Sequence, residues 1–343
     1  MRRLLALVVL LSASAPARAF QDKTGANASE FLRIGAGARS LGMGEAYGPV
    51  AEGAEAIYWN PAGMARLNGP QLTYSRQEFA TYFHHDFAAY AQPVRFLGGA
   101  IGASYTRLSQ DGLPLVTNTN QTVGSFAPHS DSVALGYAHS FDSSDPERAD
   151  RDYFSDSWGV PGAYHPLARE REVWTGSLMS GFAVKGVYEA IYDNNAFAFA
   201  LDAGALFKPA ALPDMTVSGA IRNLGGKMQF VTESEALPTE ADIGMSYDVR
   251  TWSARFLPAL EVALPYYGNP YAKLGAEYEW PIGDFTRVAV RAGYKTQTVS
   301  DLGFVSGITF GLGTQYKKFS ADFGFQPMAE LGEAFRMTIG LRW

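Results

Sequence analysis

The 343-residue chain contains no cysteine, which excludes disulfide bonds, thiol catalysis and cysteine-based metal sites. Charged residues are also scarce, at 18% of the sequence, against about 25% in an average soluble domain. Beyond one apolar run at the amino terminus, no stretch approaches the roughly 20 apolar residues that a membrane-spanning helix needs. If this chain crosses a membrane, it must therefore cross it as a closed β-barrel, the other fold that satisfies every backbone group in lipid.

The amino terminus is typical of a secretory signal peptide. Two arginines precede the apolar run at residues 4–11, and Ala17-Arg18-Ala19 provides a small-x-small cleavage site. This combination predicts cleavage just before Phe20 and export of the mature protein. We therefore leave residues 1–19 out of the fold prediction.

Neither nucleic-acid binding nor enzymatic chemistry is indicated. The formal net charge of −6 argues against a nucleic-acid partner, and no G-x-S-x-G, Walker or H-E-x-x-H motif is present. His84, His85 and Asp86 form the one tempting metal cluster, but adjacent side chains on a strand point to opposite faces. Two ligands are too few for a closed zinc site, so we predict no catalytic residue, no metal and no cofactor.

Strict alternation of apolar and polar residues is the strongest signal. At the carboxyl end, Phe335, Met337, Ile339, Leu341 and Trp343 alternate with polar residues or glycine, as expected of a half-exposed strand. Low charge also suits a secreted β-sandwich, but an even number of strands of about ten residues is typical of outer-membrane barrels. Fourteen segments qualify: 70–78, 84–94, 97–108, 129–141, 177–188, 196–207, 214–223, 238–249, 254–264, 271–281, 285–295, 305–316, 318–326 and 334–343.

The connectors alternate between short and long, as outer-membrane barrels require for their periplasmic turns and external loops. Both termini then lie on the periplasmic side. One connector, 142–176, is long and charged although parity assigns it to the periplasmic rim. It is either a solvated loop, the default for charged segments, or a docking element.

Charged residues on the polar faces of neighbouring strands are expected to pair inside the lumen. Opposite charges across neighbouring strands contribute a few tenths to about 1 kcal/mol, and a polar interior is usual in these barrels. We therefore predict pairing rather than catalysis, with Asp322 approaching Arg336. The predicted lumen charges are Glu277, Glu279, Arg287, Arg291, Asp322 and Arg336, with Lys185 and Asp202 also facing inward.

The stretch from Leu41 to Met64, LGMGEAYGPVAEGAEAIYWNPAGM, fits neither a helix nor a strand. Its glycines interrupt regular structure, yet its aromatic and aliphatic residues are too many for a solvated linker. Irregular backbone at membrane depth is tolerated where protein or a water-filled cavity surrounds it. We predict a plug inside the barrel lumen, with bends at Gly42, Gly44 and Gly48 and a turn at Asn60-Pro61.

The segment ARSLGMGEAYGPVAEGAEAIYWNPAGMARL, residues 38–67, resembles the amino-terminal signature of FadL-like outer-membrane barrels, most closely the PorV/PorQ branch. IRNLGGKMQF, residues 221–230, continues the likeness more weakly. The resemblance implies a fourteen-stranded barrel plugged by a hatch whose Asn-Pro-Ala turn matches Asn60, Pro61 and Ala62. Trp343 resembles the terminal aromatic residue by which the barrel assembly machinery recognises such proteins.

Together these features predict an all-β, antiparallel transmembrane barrel in the cell outer membrane. The domain prediction is a signal peptide (1–19), an N-terminal segment and lumen plug (20–69) and a barrel (70–343) with the insertion at 142–176.

Two functions from different classes remain open, and a structural porin-like barrel with no defined ligand is a third option. The first is passive transport of long-chain fatty acids or other hydrophobic molecules, with an external capture groove at Leu113, Leu115, Val116 and Phe126. The second is a PorV-like adaptor that receives secreted protein cargo at the outer membrane. In both cases the expected surroundings are outer-membrane lipid.

Overall fold

The structure is a computed structural model. It describes residues 27–79, 83–117, 119–141, 176–230, 233–251, 253–329 and 332–343. The predicted signal peptide and, apart from Gly176, the charged insertion lie outside these residues.

Fourteen antiparallel strands form one closed barrel, in which each strand pairs with its neighbours in sequence and the last pairs with the first. This confirms the predicted strand number, and every predicted segment overlaps an observed strand. The strands are β1 (Gln71–Phe79), β2 (Phe83–Val94), β3 (Gly99–Gln110), β4 (His129–Ser140), β5 (Ser177–Ile191), β6 (Asn194–Lys208), β7 (Met215–Gly225), β8 (Glu240–Tyr247), β9 (Arg255–Pro265), β10 (Tyr271–Ile282), β11 (Thr286–Lys295), β12 (Ile308–Tyr316), β13 (Phe319–Pro327) and β14 (Glu333–Arg342).

Alternation along each strand separates an apolar outer face from a polar inner face. On β14, Met337 and Ile339 are each 62% exposed, whereas Arg336 and Thr338 are 2% and 4% exposed. Successive strand residues point to opposite faces, so the period-two pattern places the apolar residues outside. The barrel therefore exposes its apolar face and buries its polar face, which is the reverse of a soluble domain.

The two rims of the barrel differ. Short connectors at 95–98, 209–214, 283–285 and 317–318 share one rim with the chain end, and we call this the C-terminal rim. The opposite rim, the long-loop rim, carries the loops at 111–128, 226–239 and 296–307.

Short elements complete the described fold. The residues before β1 form helical turns at Glu30–Arg33, Ala38–Gly42, Gly48–Val50, Ala56–Trp59 and Pro61–Arg66. Two hairpins rise from the long-loop rim, Leu113–Val116 with Thr122–Phe126 and Lys227–Phe230 with Glu233–Ala236. The others are Arg95–Leu97, Val249–Arg250, Val299–Leu302 and Phe304–Gly307. None of the helices among the described residues combines the length and the apolar character that crossing a membrane requires.

Candidate functional site

The N-terminal segment, which we define as residues 27–67, packs against the inward face of strands on several sides of the barrel. Gly48 donates its N–H to Glu261 on β9 at 2.7 Å, and Gly44 donates to Thr309 on β12 at 2.9 Å. Ala38 donates to Thr338 on β14 at 2.8 Å. Four of its large side chains are at most 2% exposed, namely Tyr47, Ile57, Trp59 and Met64.

Nine strand glycines leave the space that the backbone or side chains of this segment occupy. A Cβ atom at Gly293 would lie 2.0 Å from the Gly44 nitrogen, and one at Gly275 would lie 2.3 Å from the Met43 oxygen. Glycine is the only residue without a Cβ, so it permits this close approach. We call these the inward glycines: Gly102, Gly136, Gly181, Gly204, Gly244, Gly275, Gly293, Gly311 and Gly324.

Of the three predicted bend positions, only Gly44 has a left-handed backbone, with φ at +62°. A Cβ at Gly42 would lie 2.8 Å from the Gly311 Cα, and one at Gly48 would lie 2.4 Å from the Glu261 carboxylate. Gly42 and Gly48 therefore serve close packing against the wall rather than a bend.

Asn60 fixes the predicted Asn-Pro-Ala turn. Its Oδ1 accepts the Ala62 N–H at 3.1 Å and caps the helical turn Pro61–Arg66. Its Nδ2 donates to the Ala205 oxygen on β6 at 3.2 Å. One side chain thus shapes the turn and attaches it to the wall.

Replacing Asn60 with alanine is expected to lower the free energy of unfolding by about 2–4 kcal/mol. Loss of the cap accounts for about 1 kcal/mol, and the buried partners left unpaired account for about 1–3 kcal/mol. Urea titration of the refolded barrel measures this. The exposed Asn68 is the matched control, and Asn68→Ala should change stability by less than about 0.5 kcal/mol; equal effects of the two variants would contradict the assignment.

The predicted lumen charges form a buried network with the N-terminal segment. Arg39 reaches both carboxylate oxygens of Glu277, each at 2.8 Å, and also contacts Glu52. Arg291 contacts Glu277 at 2.6 Å and Asp322 at 2.7 Å. The charged side chains of β10 and β11 lie close together as predicted, but the contact of Glu277 with Arg39 was not predicted.

Two of the predicted pairs have different outcomes. Glu279 and Arg287 pair across β10 and β11 at 3.3 Å and are each more than 20% exposed. The prediction that Asp322 approaches Arg336 is wrong, because Asp322 binds Arg291 instead. The Arg291 side chain can cross β12 because Gly313 places no side chain between the two groups.

Arg336 points to the N-terminal segment. It donates to Gln77 at 2.7 Å and to the Gly37 oxygen at 3.0 Å, and it lies 3.4 Å from Glu45. Lys295 contacts the same Glu45 at 2.8 Å. Burial alone would raise the pKa of Glu45, but Lys295 and Arg336 outweigh it and lower that pKa to about 2. Glu45 is therefore ionised and ties the segment to β11 and β14.

A second charged cluster surrounds the aromatic pair of the segment. Arg222 lies 5.5 Å from the Tyr58 ring and 5.2 Å from the Trp59 ring, and Lys273 lies 5.6 Å from the Trp59 ring. Cations over aromatic faces are stabilised by the ring quadrupole. The carboxylates of this cluster are Glu240, Asp242 and Glu261. Lys185 and Asp202, both predicted to face inward, pair with each other at 2.6 Å, and the Lys185 Nζ lies 5.7 Å from the Tyr58 ring.

Glu55 is half-buried in a polar cavity of about 100 Å³ at the C-terminal rim side of the segment. Burial, followed by the neighbouring Asp322, raises the pKa of Glu55 to about 7. Thr73 donates to its carboxylate at 3.2 Å. The protonated form of Glu55 is therefore favoured in the folded state.

This raised pKa predicts that the folded barrel loses stability as pH rises from about 5 to about 8. A carboxyl with a folded pKa above its unfolded value binds more protons when folded, so its contribution is complete below the unfolded pKa and disappears through the folded pKa. Urea titrations at several pH values should show this fall in wild type and a flatter profile in Glu55→Gln. Parallel profiles for the two proteins would contradict the assignment.

The predicted external groove is partly assembled by the hairpin at 113–126. Leu113 faces Phe126 and Leu115 faces Gly124 in register, so Leu113, Leu115 and Phe126 share one face. The Phe126 ring meets Tyr192 edge-on at 5.5 Å. Val116 is 46% exposed and lies on the opposite face of the hairpin from these three residues.

An apolar cluster that sequence reasoning missed lies at the long-loop rim. Phe31 and Leu32 pack among small residues of β5 and β6 and under the hairpin at 227–236. The alternating alanines of β6 are the signal that could have revealed this concave wall. We call it the mouth cluster: Ala28, Phe31, Leu32, Val187, Ala196, Ala198, Ala200, Met228 and Leu237.

Trp343 lies at the C-terminal rim, where its ring is 6.1 Å from the Tyr90 ring and its side chain is 48% exposed. The backbone N–H of Trp343 donates to the Pro70 carbonyl oxygen at 3.2 Å, which brings the chain end to the start of β1. Its role in assembly stays a prediction. The described residues contain no group of three or more potential metal ligands.

No protein-family model and no curated protein matches the chain. Among solved structures, it resembles the toluene transporter TodX of P. putida, with a TM-score of 0.52 and 9% identity over 90% of this chain and 99% of that chain. The toluene transporter TbuX of Ralstonia pickettii gives 0.50 and 9%, over 90% and 98%. A Pseudomonas aeruginosa FadL homologue gives 0.49 and 11%, over 89% and 97%. At such identities the likeness concerns the fold, and the chain has the fourteen-stranded barrel fold of these transporters.

Proposed function

We propose that this protein is an outer-membrane barrel that takes up hydrophobic small molecules through its long-loop rim. The observation that carries the proposal is the mouth cluster, a packed group of apolar side chains at the long-loop rim, where the lumen opens. Apolar pockets with few polar groups are the usual binding sites for such ligands.

Placement in the outer membrane is supported by the outer face of the barrel. Large apolar side chains there are exposed on every side, for example Leu135 on β4, Phe199 on β6, Leu312 on β12 and Ile339 on β14. Apolar bands of this kind face lipid. The predicted signal peptide supplies export, and the C-terminal rim then faces the periplasm.

The N-terminal segment serves as the lumen plug in this proposal. Its contacts with the inward glycines and its ion pairs to β10, β11 and β14 support a fixed position for residues 37–67. The stretch around Phe31 and Leu32 is joined to the barrel by the hydrogen bond of Ala28 to Ala236 and the ion pair of Arg33 with Glu240, while both of these side chains are apolar and make neither kind of contact. A hydrophobic ligand would replace these two side chains in the mouth cluster.

The ligand class follows from the site and not from the fold. TodX and TbuX are toluene transporters, whereas the resemblance of residues 38–67 to FadL-like barrels favours long-chain fatty acids. We propose fatty acids, because this resemblance favours them and because Leu113, Leu115 and Phe126 provide a second apolar face on a hairpin of the same rim.

Binding of labelled oleate and labelled toluene by the purified barrel tests this function. We expect saturable oleate binding that Leu115→Asp weakens by about tenfold, since a charge on the groove face must be desolvated. The matched variant Val116→Asp lies on the opposite face of the hairpin and should bind like wild type. Binding of toluene alone would change the ligand class.

Absence of saturable binding to either compound would contradict transport. Co-purification of a secreted protein by a barrel that binds no lipid would instead favour the PorV-like adaptor and placement in the PorV/PorQ branch. Altering Asn60 and Pro61 should reduce oleate binding if the plug shapes the site.

A further inference from the structure

The outer face of β1 to β4 carries a row of charges near the long-loop rim. Arg76 on β1 lies directly opposite Asp86 on β2, Asp86 lies opposite Arg107 on β3, and Arg107 lies opposite Asp131 on β4. All four are on the face that bears the exposed apolar residues of the same strands. These four charges alternate in sign and sum to zero, and Glu78, which contacts Arg76 at 3.3 Å on the same face of β1, adds one further carboxylate.

Two copies of one arrangement make up this row. The Tyr74 hydroxyl donates to Asp86 at 2.6 Å, and Arg76 contacts that carboxylate at 3.3 Å. In the second copy, the Tyr105 hydroxyl donates to Asp131 at 2.5 Å, and Arg107 contacts it at 3.6 Å. We call each set of tyrosine, arginine and aspartate a station.

The stations lie where a membrane-spanning barrel meets the lipid headgroups. Leu72 and Tyr74 precede Arg76 on the outer face of β1, and Ile101 and Tyr105 precede Arg107 on β3. Tyrosine is enriched at membrane interfaces. A charge on the lipid face costs about 2–4 kcal/mol at mid-membrane but only about 0–1 kcal/mol near the interface, so the row belongs at headgroup level.

The arginines retain donors for a further acceptor. Both side chains are 41% exposed. Arg107 contacts Tyr105 and Asp131 through Nη1 alone. Arg76 donates from Nε to Glu78 and from Nη1 to Asp86, which leaves its Nη2 for a further acceptor. Each aspartate holds its guanidinium in place while the remaining N–H groups can meet an anion, and arginine binds phosphate with two parallel hydrogen bonds.

The spacing favours a ligand with two anionic groups. Arg76 and Arg107 lie on strands two positions apart, which separates the strand axes by about 10 Å. A lipid whose headgroup carries two phosphates on a rigid sugar scaffold fits this arrangement. A single free phosphate would engage only one station.

We propose that the two stations form a binding site for the phosphate groups of a phosphorylated glycolipid in the outer leaflet. This proposal rests on the membrane placement given under the proposed function. It is independent of the hydrophobic ligand, because the stations lie on the outside of the barrel and the mouth cluster lies at its entrance.

Native mass spectrometry of the full-length barrel in mild detergent tests the site, with lipid A as the probe and dephosphorylated lipid A as its partner. Wild type should retain lipid A about tenfold better than the dephosphorylated form, and Arg76→Gln/Arg107→Gln should lose this preference. Lys317→Gln/Lys318→Gln, which removes two exposed charges from the opposite rim, should keep it. Inorganic phosphate should not displace lipid A at concentrations that would saturate a single arginine.

Equal retention of both lipids by wild type would overturn the proposal without any variant. Equal losses in the two double variants would also overturn it, since the effect would then be one of net charge. Arg76→Lys/Arg107→Lys, which conserves charge, should retain part of the preference. Heat modifiability and flotation with vesicles report folding and membrane placement separately. A barrel that floats with vesicles but shows no preference for lipid A would contradict the lipid site and leave the proposed membrane placement standing.

Discussion

Replacing Gly293 with leucine is expected to prevent most of the chain from forming the folded barrel. A Cβ at this position would lie 2.0 Å from the backbone nitrogen of Gly44, and neither backbone can yield without disturbing the ion pairs beside it. Overpacking in a tight core costs about 1–3 kcal/mol even where side chains can adjust. We expect the folded fraction, measured by heat modifiability after refolding into vesicles, to fall by more than about tenfold.

Gly219 supplies the matched control for this experiment. It lies on β7, and nothing lies within 4 Å of an added Cβ there. Gly219→Leu should therefore fold like wild type, because the new side chain would face lipid. Normal folding of Gly293→Leu would show that the N-terminal segment does not occupy the position described here.

Glu277→Gln is expected to lower the free energy of unfolding by about 3–5 kcal/mol. Glu277 is 1% exposed and balances both Arg39 and Arg291. Its replacement removes two buried charge-assisted contacts, each contributing about 1.5–3 kcal/mol, and leaves Arg39 with Glu52 alone and Arg291 with Asp322 alone as carboxylate partners. Urea titration of the barrel in vesicles, followed by tryptophan fluorescence, measures this loss.

Glu279→Gln is the control, because Glu279 lies two residues along the same strand and pairs with Arg287 near the cavity. That pair is more than 20% exposed on each side, and exposed pairs contribute about 0–1 kcal/mol. The predicted difference between the two variants is thus at least about 2 kcal/mol. A Glu279→Gln loss equal to that of Glu277→Gln would contradict the buried network.

The barrel strands could be predicted from the sequence because alternation carries the information locally. In a strand the side-chain period is two residues, so the exposed Phe335, Met337 and Ile339 and the buried Arg336 and Thr338 are sorted by position alone. Counting such segments gave the strand number without knowledge of any contact.

Partners across the lumen could not be predicted in the same way. The pairing of Asp322 with Arg291 depends on the empty space at Gly313, and the pairing of Arg39 with Glu277 depends on where the N-terminal segment lies. Both are set by tertiary packing over more than 30 and 200 residues of sequence respectively. Strand periodicity gives no information about contacts between residues that are this far apart in the sequence.

The inward glycines show what a closer reading of the sequence could have found. Gly293, Gly311 and Gly324 occupy the polar phase of alternating strands, where a barrel interior normally carries polar side chains. Glycine weakens a strand unless another backbone approaches closely. Their recurrence on the inner face is therefore a signal for a packed segment inside the barrel. Val116 shows what the sequence could not reveal, because the register of the two hairpin strands decides which face of the hairpin a residue occupies.

The central claim is that the N-terminal segment lies inside the barrel and stays there when hydrophobic ligand is present. The natural chain has no cysteine, so a single engineered thiol reports one position. Ala46 is 0% exposed within the segment, and Val123 is 60% exposed on the hairpin at 113–126. In vesicles, Ala46→Cys should resist a bulky maleimide with and without oleate while Val123→Cys reacts at once. Reaction of Ala46→Cys at the rate of Val123→Cys would contradict the account.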